Sequence, residues 1–167
     1  MRLFAAIPLT EPVRTHLAAV QTELRRRGRG SFPPPENLHL TLAFLGETDR
    51  EPAARAALEK MVGTGAFSLT VEGLGRFGDV WWAGVGSCPA LDALALGLQA
   101  SLRQAGFGLE DRAWRPHITL ARRYRLRTEE APPTLAPAEM AVRRAGLLAS
   151  VERDGRRVYV PRLWVEL

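Results

Sequence analysis

Thiols are almost absent from this chain: Cys88 is the single cysteine in 167 residues. No intrachain disulfide can form, and one cysteine with three histidines is too few for a structural zinc site of the usual kind. Long hydrophobic runs are missing too, since no stretch approaches the roughly 20 apolar residues that span a bilayer. The opening segment Met1–Pro8 carries a short apolar run stopped by proline, unlike a signal-peptide core followed by a small-residue cleavage site. The expectation is a soluble, cytoplasmic protein with no membrane partner. No long exposed apolar stripe is apparent, so a monomer is the default. Lysine is equally scarce. Lys60 is the only one among 23 basic residues, which leaves 22 arginines against 18 acidic residues and a formal net charge of +5.

What is present is ordinary for a globular protein. Hydrophobic residues make up 46% and charged residues 25%, which excludes a disordered chain, a collagen-like repeat and a coiled coil. The length suits one domain, or two small lobes sharing a core. Arginine recognises phosphate bidentately, so the basic excess is compatible with a nucleic-acid or phosphate partner, and equally with a solvated surface.

Patterning gives a mixed α+β chain. Residues 2–8 read as a buried strand. Thr10 caps a helix with Pro12 near its start, whose stripe is Val13, Leu17, Val20 and Leu24 and whose end is Arg25–Arg27 before Gly28. A loop is expected from Gly28 to Asn37, a strand over 38–45 closed by Gly46, and a second helix over 51–61. Strands over 67–76 and 80–85 flank the turn signal Phe77-Gly78-Asp79. Leu91, Leu94, Leu98 and Leu102 mark a helix ending near Gly106, and a strand is expected over 114–120. After a loop marked by Pro132, Pro133 and Pro137, strands over 141–152 and 157–167 meet at Asp154-Gly155, a hairpin signal.

The chemistry lies in a short internal repeat. His39-Leu40-Thr41-Leu42-Ala43 recurs as His117-Ile118-Thr119-Leu120-Ala121, 78 residues later. On a strand, residues i and i+2 share one face. His39 and Thr41 therefore point one way with Leu40 and Leu42 behind them, and His117 and Thr119 do the same over Ile118 and Leu120. Two imidazoles can act as base and acid near neutral pH, and threonine hydroxyls can hold phosphate oxygens without adding charge. A lone histidine on a half-buried strand is more often a packed residue, and threonine is an ordinary strand former. A core has no need of the same string twice, and that outweighs both plain readings. His16 has no such companion and reads as a surface or packing residue. Trp81, Trp82 and Trp114 read as core rather than as base platforms. A metal site built on the two histidines lacks nearby Asp or Glu partners, so no metal is expected.

These strings resemble the 2H phosphoesterase superfamily, in particular its RNA 2′,3′-cyclic phosphodiesterase (2′-5′ RNA ligase-like) branch. The residues that carry the likeness are Arg2–Ile7, His39–Gly46, Pro116–Arg122 and the tail from Leu147 through Gly155 to Tyr159. The likeness covers essentially the whole chain. It implies an α+β fold forming one bilobal domain over residues 1–167, with two pseudo-symmetric antiparallel sheets flanked by helices. Each lobe contributes one His-x-Thr motif to a central cleft. It implies hydrolysis of RNA or nucleotide 2′,3′-cyclic phosphate ends to 2′-phosphomonoesters without metal or cofactor. His117 would be the proton acceptor and His39 the proton donor, a division the near-identical motifs do not themselves decide. Thr41 and Thr119 would hold the non-bridging oxygens. Phe44 and Arg122, each five residues after a histidine, would flank the nucleotide. Strict alternation opposes that placement, because an odd offset points away from the catalytic face, and for Phe44 a core position is an equal alternative. Other readings are action on 2′-5′ linkages or other cyclic esters with the same site, and a non-catalytic RNA-binding module.

Overall fold

The computed structural model describes residues 1–167. Its elements are β1 (Arg2–Pro8), α1 (Glu11–Arg27), β2 (Gly28–Ser31), a 3₁₀ turn (Pro35–Asn37), β3 (His39–Glu47), α2 (Glu51–Glu59), β4 (Phe67–Phe77), β5 (Val80–Val85), α3 (Pro89–Gln104), β6 (His117–Leu126), β7 (Ala138–Val142), β8 (Arg144–Arg153) and β9 (Arg156–Glu166). They form two antiparallel sheets, one of order β3-β1-β8-β9 and one of order β2-β6-β5-β4-β7. The expected α+β architecture of two antiparallel sheets, one motif strand in each, is present. β3 and β6 meet where the sheets approach each other.

The helices exchange sides. α1 leaves β1 yet packs on β2, β6 and β7, while α3 leaves β5 and packs on β3 more than on β4. α2 lies against β8 and β9. Behind the motif strands, Leu40, Leu42, Ile118 and Leu120 are fully buried, and they join one continuous cluster of 37 core residues drawn from both sheets.

Several elements differ from the sequence reading, each for a physical reason. Gly28–Ser31 is a strand rather than loop, because its glycines let it close on β6: a Cβ at Gly28 would lie 2.6 Å from the Tyr124 hydroxyl. Thr10 holds the extended backbone of a cap, but its side chain makes no capping hydrogen bond. α2 ends at Glu59, before Met61. The strand expected over 114–120 begins only at His117, since Pro116 has no N–H to give a ladder, and it runs on to Leu126 because β2 pairs with its far half. The single strand expected over 141–152 is two strands. Met140 and Val142 are buried in one sheet, and after Arg143 the buried set becomes Ala145, Leu147 and Ala149 in the other. The buried parity changes there, so the chain passes from sheet to sheet. The hairpin at Asp154-Gly155 forms as expected, both residues having positive φ (52° and 74°).

Candidate active site

Each motif strand carries a bulge at the same place. In β3, Ala5 pairs with Ala43 and Ala6 with Thr41, so Leu42 is the extra residue. In β6, Trp81 pairs with Ala121 and Trp82 with Thr119, so Leu120 is the extra residue. A bulge shifts the alternation by one. Leu42 and Ala43 are consecutively buried, as are Leu120 and Ala121, and the next residue in each case, Phe44 or Arg122, turns outward. The objection from strict alternation is thereby removed. Phe44 is 62% exposed, which overturns its core reading.

Buried glutamines support the bulges in a crossed arrangement. Gln21 of α1 donates through Nε2 to the Leu120 carbonyl at 3.0 Å, and Gln99 of α3 donates to the Leu42 carbonyl at 2.9 Å. Gln21 and Gln99 are separated by the same 78 residues as the two histidines. Each repeat's helix therefore holds the bulge of the other repeat.

The imidazoles are held alike. His39 Nδ1 lies 2.7 Å from the Asn37 carbonyl, and His117 Nδ1 lies 2.7 Å from the Arg115 carbonyl. A carbonyl only accepts, so Nδ1 carries the hydrogen in both rings and Nε2 is the working nitrogen. At His39, Nε2 lies 2.8 Å from Thr41 Oγ1, which donates to it when the ring is neutral. The surroundings differ. His39 is packed by Phe4 (centroids 4.9 Å apart) and by Tyr159 (5.2 Å). Burial pushes its pKa below the usual 6.5, opposed by the Asn37 hydrogen bond and reinforced by the positive charges of Arg122 and His117. Both of these charges come from β6, the strand that meets β3.

Beside His117 a pocket of about 280 Å³ is lined by Phe77, Trp82, Trp114 and Arg115, among others. Phe77 meets the His117 ring edge-on at 5.2 Å, and Trp82 lies 6.0 Å from it. Trp82 lies across β4 because its cross-strand neighbour is Gly75, where a Cβ would come within 2.2 Å of the indole. Trp114 donates a long hydrogen bond (3.4 Å) to the Thr41 carbonyl, tying the segment before β6 to β3.

Residues 11–154 match the family described as the 2′-5′ RNA ligase superfamily. The chain belongs to that superfamily. Within it, the chain is similar to proteins named RNA 2′,3′-cyclic phosphodiesterase. That of Thermus thermophilus is 35% identical, covering 95% of this chain and 86% of the relative. That of Escherichia coli is 32% identical, covering 96% and 93%. The crystal structure of E. coli LigT in apo form superposes with a TM-score of 0.84 at 30% identity, covering 99% of this chain and 96% of LigT. LigT complexed with 3′-AMP gives the same TM-score at 31% identity, covering 99% and 97%.

Of the residues expected in the site, His39 and Thr41 stand on β3 and His117 and Thr119 on β6, two strands that meet, and Arg122 follows on β6 beyond the Leu120 bulge. His16 lies elsewhere, its Nε2 2.8 Å from the Ala136 carbonyl, as a packing residue. Trp81 is core and Trp114 packs partly buried against it, while Trp82 and Trp114 also line the pocket. Missed altogether were Phe77, Arg115 and the two glutamines. The 78-residue interval was the available signal for the glutamines. Phe77 and Arg115 had no local one.

Proposed function

We propose that this chain hydrolyses 2′,3′-cyclic phosphates at RNA ends or on small nucleotides, leaving a 2′-phosphomonoester. The reading rests on one observation above all: two imidazoles, each with Nδ1 fixed to a backbone carbonyl two residues upstream, stand on the cleft faces of two strands that meet. The names of the relatives and the LigT complex with 3′-AMP support the substrate class.

In the proposed reaction, water attacks phosphorus in line with the bond to the 3′ oxygen. His117 Nε2 takes the water proton, the P–O3′ bond breaks, and protonated His39 gives its Nε2 proton to the departing oxygen. Thr41 and Thr119 donate hydrogen bonds to the non-bridging oxygens as their charge grows. The lowered pKa of His39 favours its neutral form before substrate binds, so the phosphate's negative charge has to draw the proton on. Phe44 and the aromatic pocket beside His117 offer stacking surfaces for the base, and Arg122 a cationic contact. No metal or cofactor takes part, and one chain completes the site, so the working unit is a monomer. The lone Cys88 fits a cytoplasmic setting.

The test is turnover of 2′,3′-cyclic AMP in excess EDTA. His39→Ala and His117→Ala should each lose about 10²–10⁴-fold in kcat, the usual worth of a positioned proton donor or acceptor. Full activity in either variant, or activity that returns only with added metal, refutes the mechanism. Binding without turnover in the unaltered protein would support an RNA-binding module instead. Comparing products from linear 2′-5′ and cyclic substrates separates hydrolysis of the ring from action on 2′-5′ linkages.

A further inference from the structure

Beyond the catalytic residues, β6 continues as an arginine-rich strand, and its register decides where those arginines point. Ser31 of β2 pairs with Arg122 and Arg29 pairs with Arg125, with an irregularity between the two pairs. Cross-strand partners share a face, and so do residues two apart on one strand. Arg29, Ser31, Arg122 and Arg125 therefore lie on a single face. It is the face of His117 and Thr119, because the Leu120 bulge has already turned Arg122 to that side. Tyr124 points the other way, buried and bonded through its hydroxyl to the Leu24 carbonyl. Two irregularities in one strand, at Leu120 and near Arg123 (φ 51°), thus keep every basic residue of the row on the catalytic face.

The electrostatics of this row do not close within the protein. Arg29 and Arg125 stand directly opposite each other, a like-charge pair that costs stability. Neither they nor Arg122 has a carboxylate within ion-pair distance, nor do the adjacent Arg25 and Arg123, whereas Arg26, Arg27 and Arg127 pair with glutamates. All three unpaired side chains are exposed. At roughly 3.3 Å per strand residue, the distance from Thr119 to Arg125 is on the order of 15–20 Å, long enough for more than one internucleotide phosphate.

The geometry points to a second binding element: Arg29 and Arg125, with Ser31 between them and the site, form a track for the phosphate backbone of an RNA strand whose cyclic end sits between the histidines. This inference rests on the function proposed above. A 2′,3′-cyclic phosphate closes the 3′ end, so the rest of an RNA substrate leaves the cleft only on the 5′ side. The unpaired arginine row is a basic surface continuous with the cleft face, on the Arg122 side of His117 and away from Arg115 in the aromatic pocket. The ligand class is therefore single-stranded RNA with a cyclic end, preferred over a cyclic mononucleotide that reaches no further than Arg122.

The experiment compares a six-nucleotide RNA bearing a 2′,3′-cyclic phosphate with 2′,3′-cyclic AMP, in 50 mM and 200 mM salt. The double variant Arg29→Gln/Arg125→Gln should lose at least tenfold in kcat/KM on the hexamer at low salt, with the mononucleotide changed less than twofold. Losing two single-strand phosphate contacts should also flatten the salt dependence by about 1.4 in logarithmic slope, near sevenfold across that salt range. Lys60→Gln/Arg144→Gln removes the same charge around the other sheet and should leave both substrates unchanged. Parallel loss on both substrates, or equal loss in this control, overturns the track. If the unaltered protein turns over neither substrate, the proposed function fails instead. Anisotropy of a labelled hexamer then decides the track alone: tenfold weaker binding by the double variant supports it, and unchanged binding overturns it.

Discussion

An imidazole that hands over a proton near neutrality is usually kept charged by its neighbours, and His39, the proposed donor, is treated in the opposite way. Burial disfavours its cation, and Arg122 and His117 add positive charge nearby. The sign gives a prediction. Removing the Arg122 charge relieves part of the repulsion on the imidazolium, so the pKa of His39 must rise. In Arg122→Gln the limb of the pH–rate profile carried by His39 moves to higher pH, while KM rises from the lost phosphate contact. A profile measured from pH 5 to 9 checks it, and a limb that stays put or moves down refutes the coupling. The two limbs are macroscopic values of the pair. At this scale the sequence was legible where spacing sufficed: His39, Thr41, His117 and Thr119 follow from a period of two. Arg122 and Phe44 lay beyond a bulge, and nothing in Leu120 or Leu42 announces one.

At the scale of elements, the motif strands owe their shape to helices that belong elsewhere in the repeat. Gln21 and Gln99 each spend an amide on the carbonyl of a bulge residue, and Gln21 also donates to the Pro33 carbonyl at 2.9 Å. Replacing either glutamine by leucine leaves a buried carbonyl without its donor, at a cost of about 1–3 kcal/mol. Tm should fall on the order of 5 °C for each. The effect on activity should be crossed. Gln21→Leu disturbs β6 and with it Arg122, so it raises KM, whereas Gln99→Leu disturbs β3 and Phe44. Thermal melts together with steady-state kinetics on both variants test this, and wild-type KM with wild-type Tm would show the bulges stand unaided. The helices themselves were legible from their apolar stripes. The passage between sheets at Arg143 was not, because β7 and β8 both carry strand-like residues and only tertiary pairing separates them. β2 was hidden for a related reason: a segment reading Gly-Arg-Gly-Ser has little strand propensity and pairs only because Tyr124 leaves room for glycine.

For the whole molecule, the two sheets share one core of 37 residues. We therefore expect the chain to behave as one bilobal domain that melts in a single step. Unfolding in urea, followed by far-ultraviolet circular dichroism and by the fluorescence of Trp164 in a variant lacking the other tryptophans, should give coincident transitions. Separate midpoints would mean two lobes with cores of their own. The architecture was legible at this level because the repeat divides the chain near its middle. The exchange of helices between sheets was not, since a stripe of leucines says that a helix is covered and not by which sheet. That exchange has a consequence for how such a molecule could be assembled. A chain holding only one repeat would present a strand whose backing helix belongs to its neighbour, so it would be complete only when twinned. Two such copies would have to clasp each other's helices, as the two halves do here through Gln21 and Gln99.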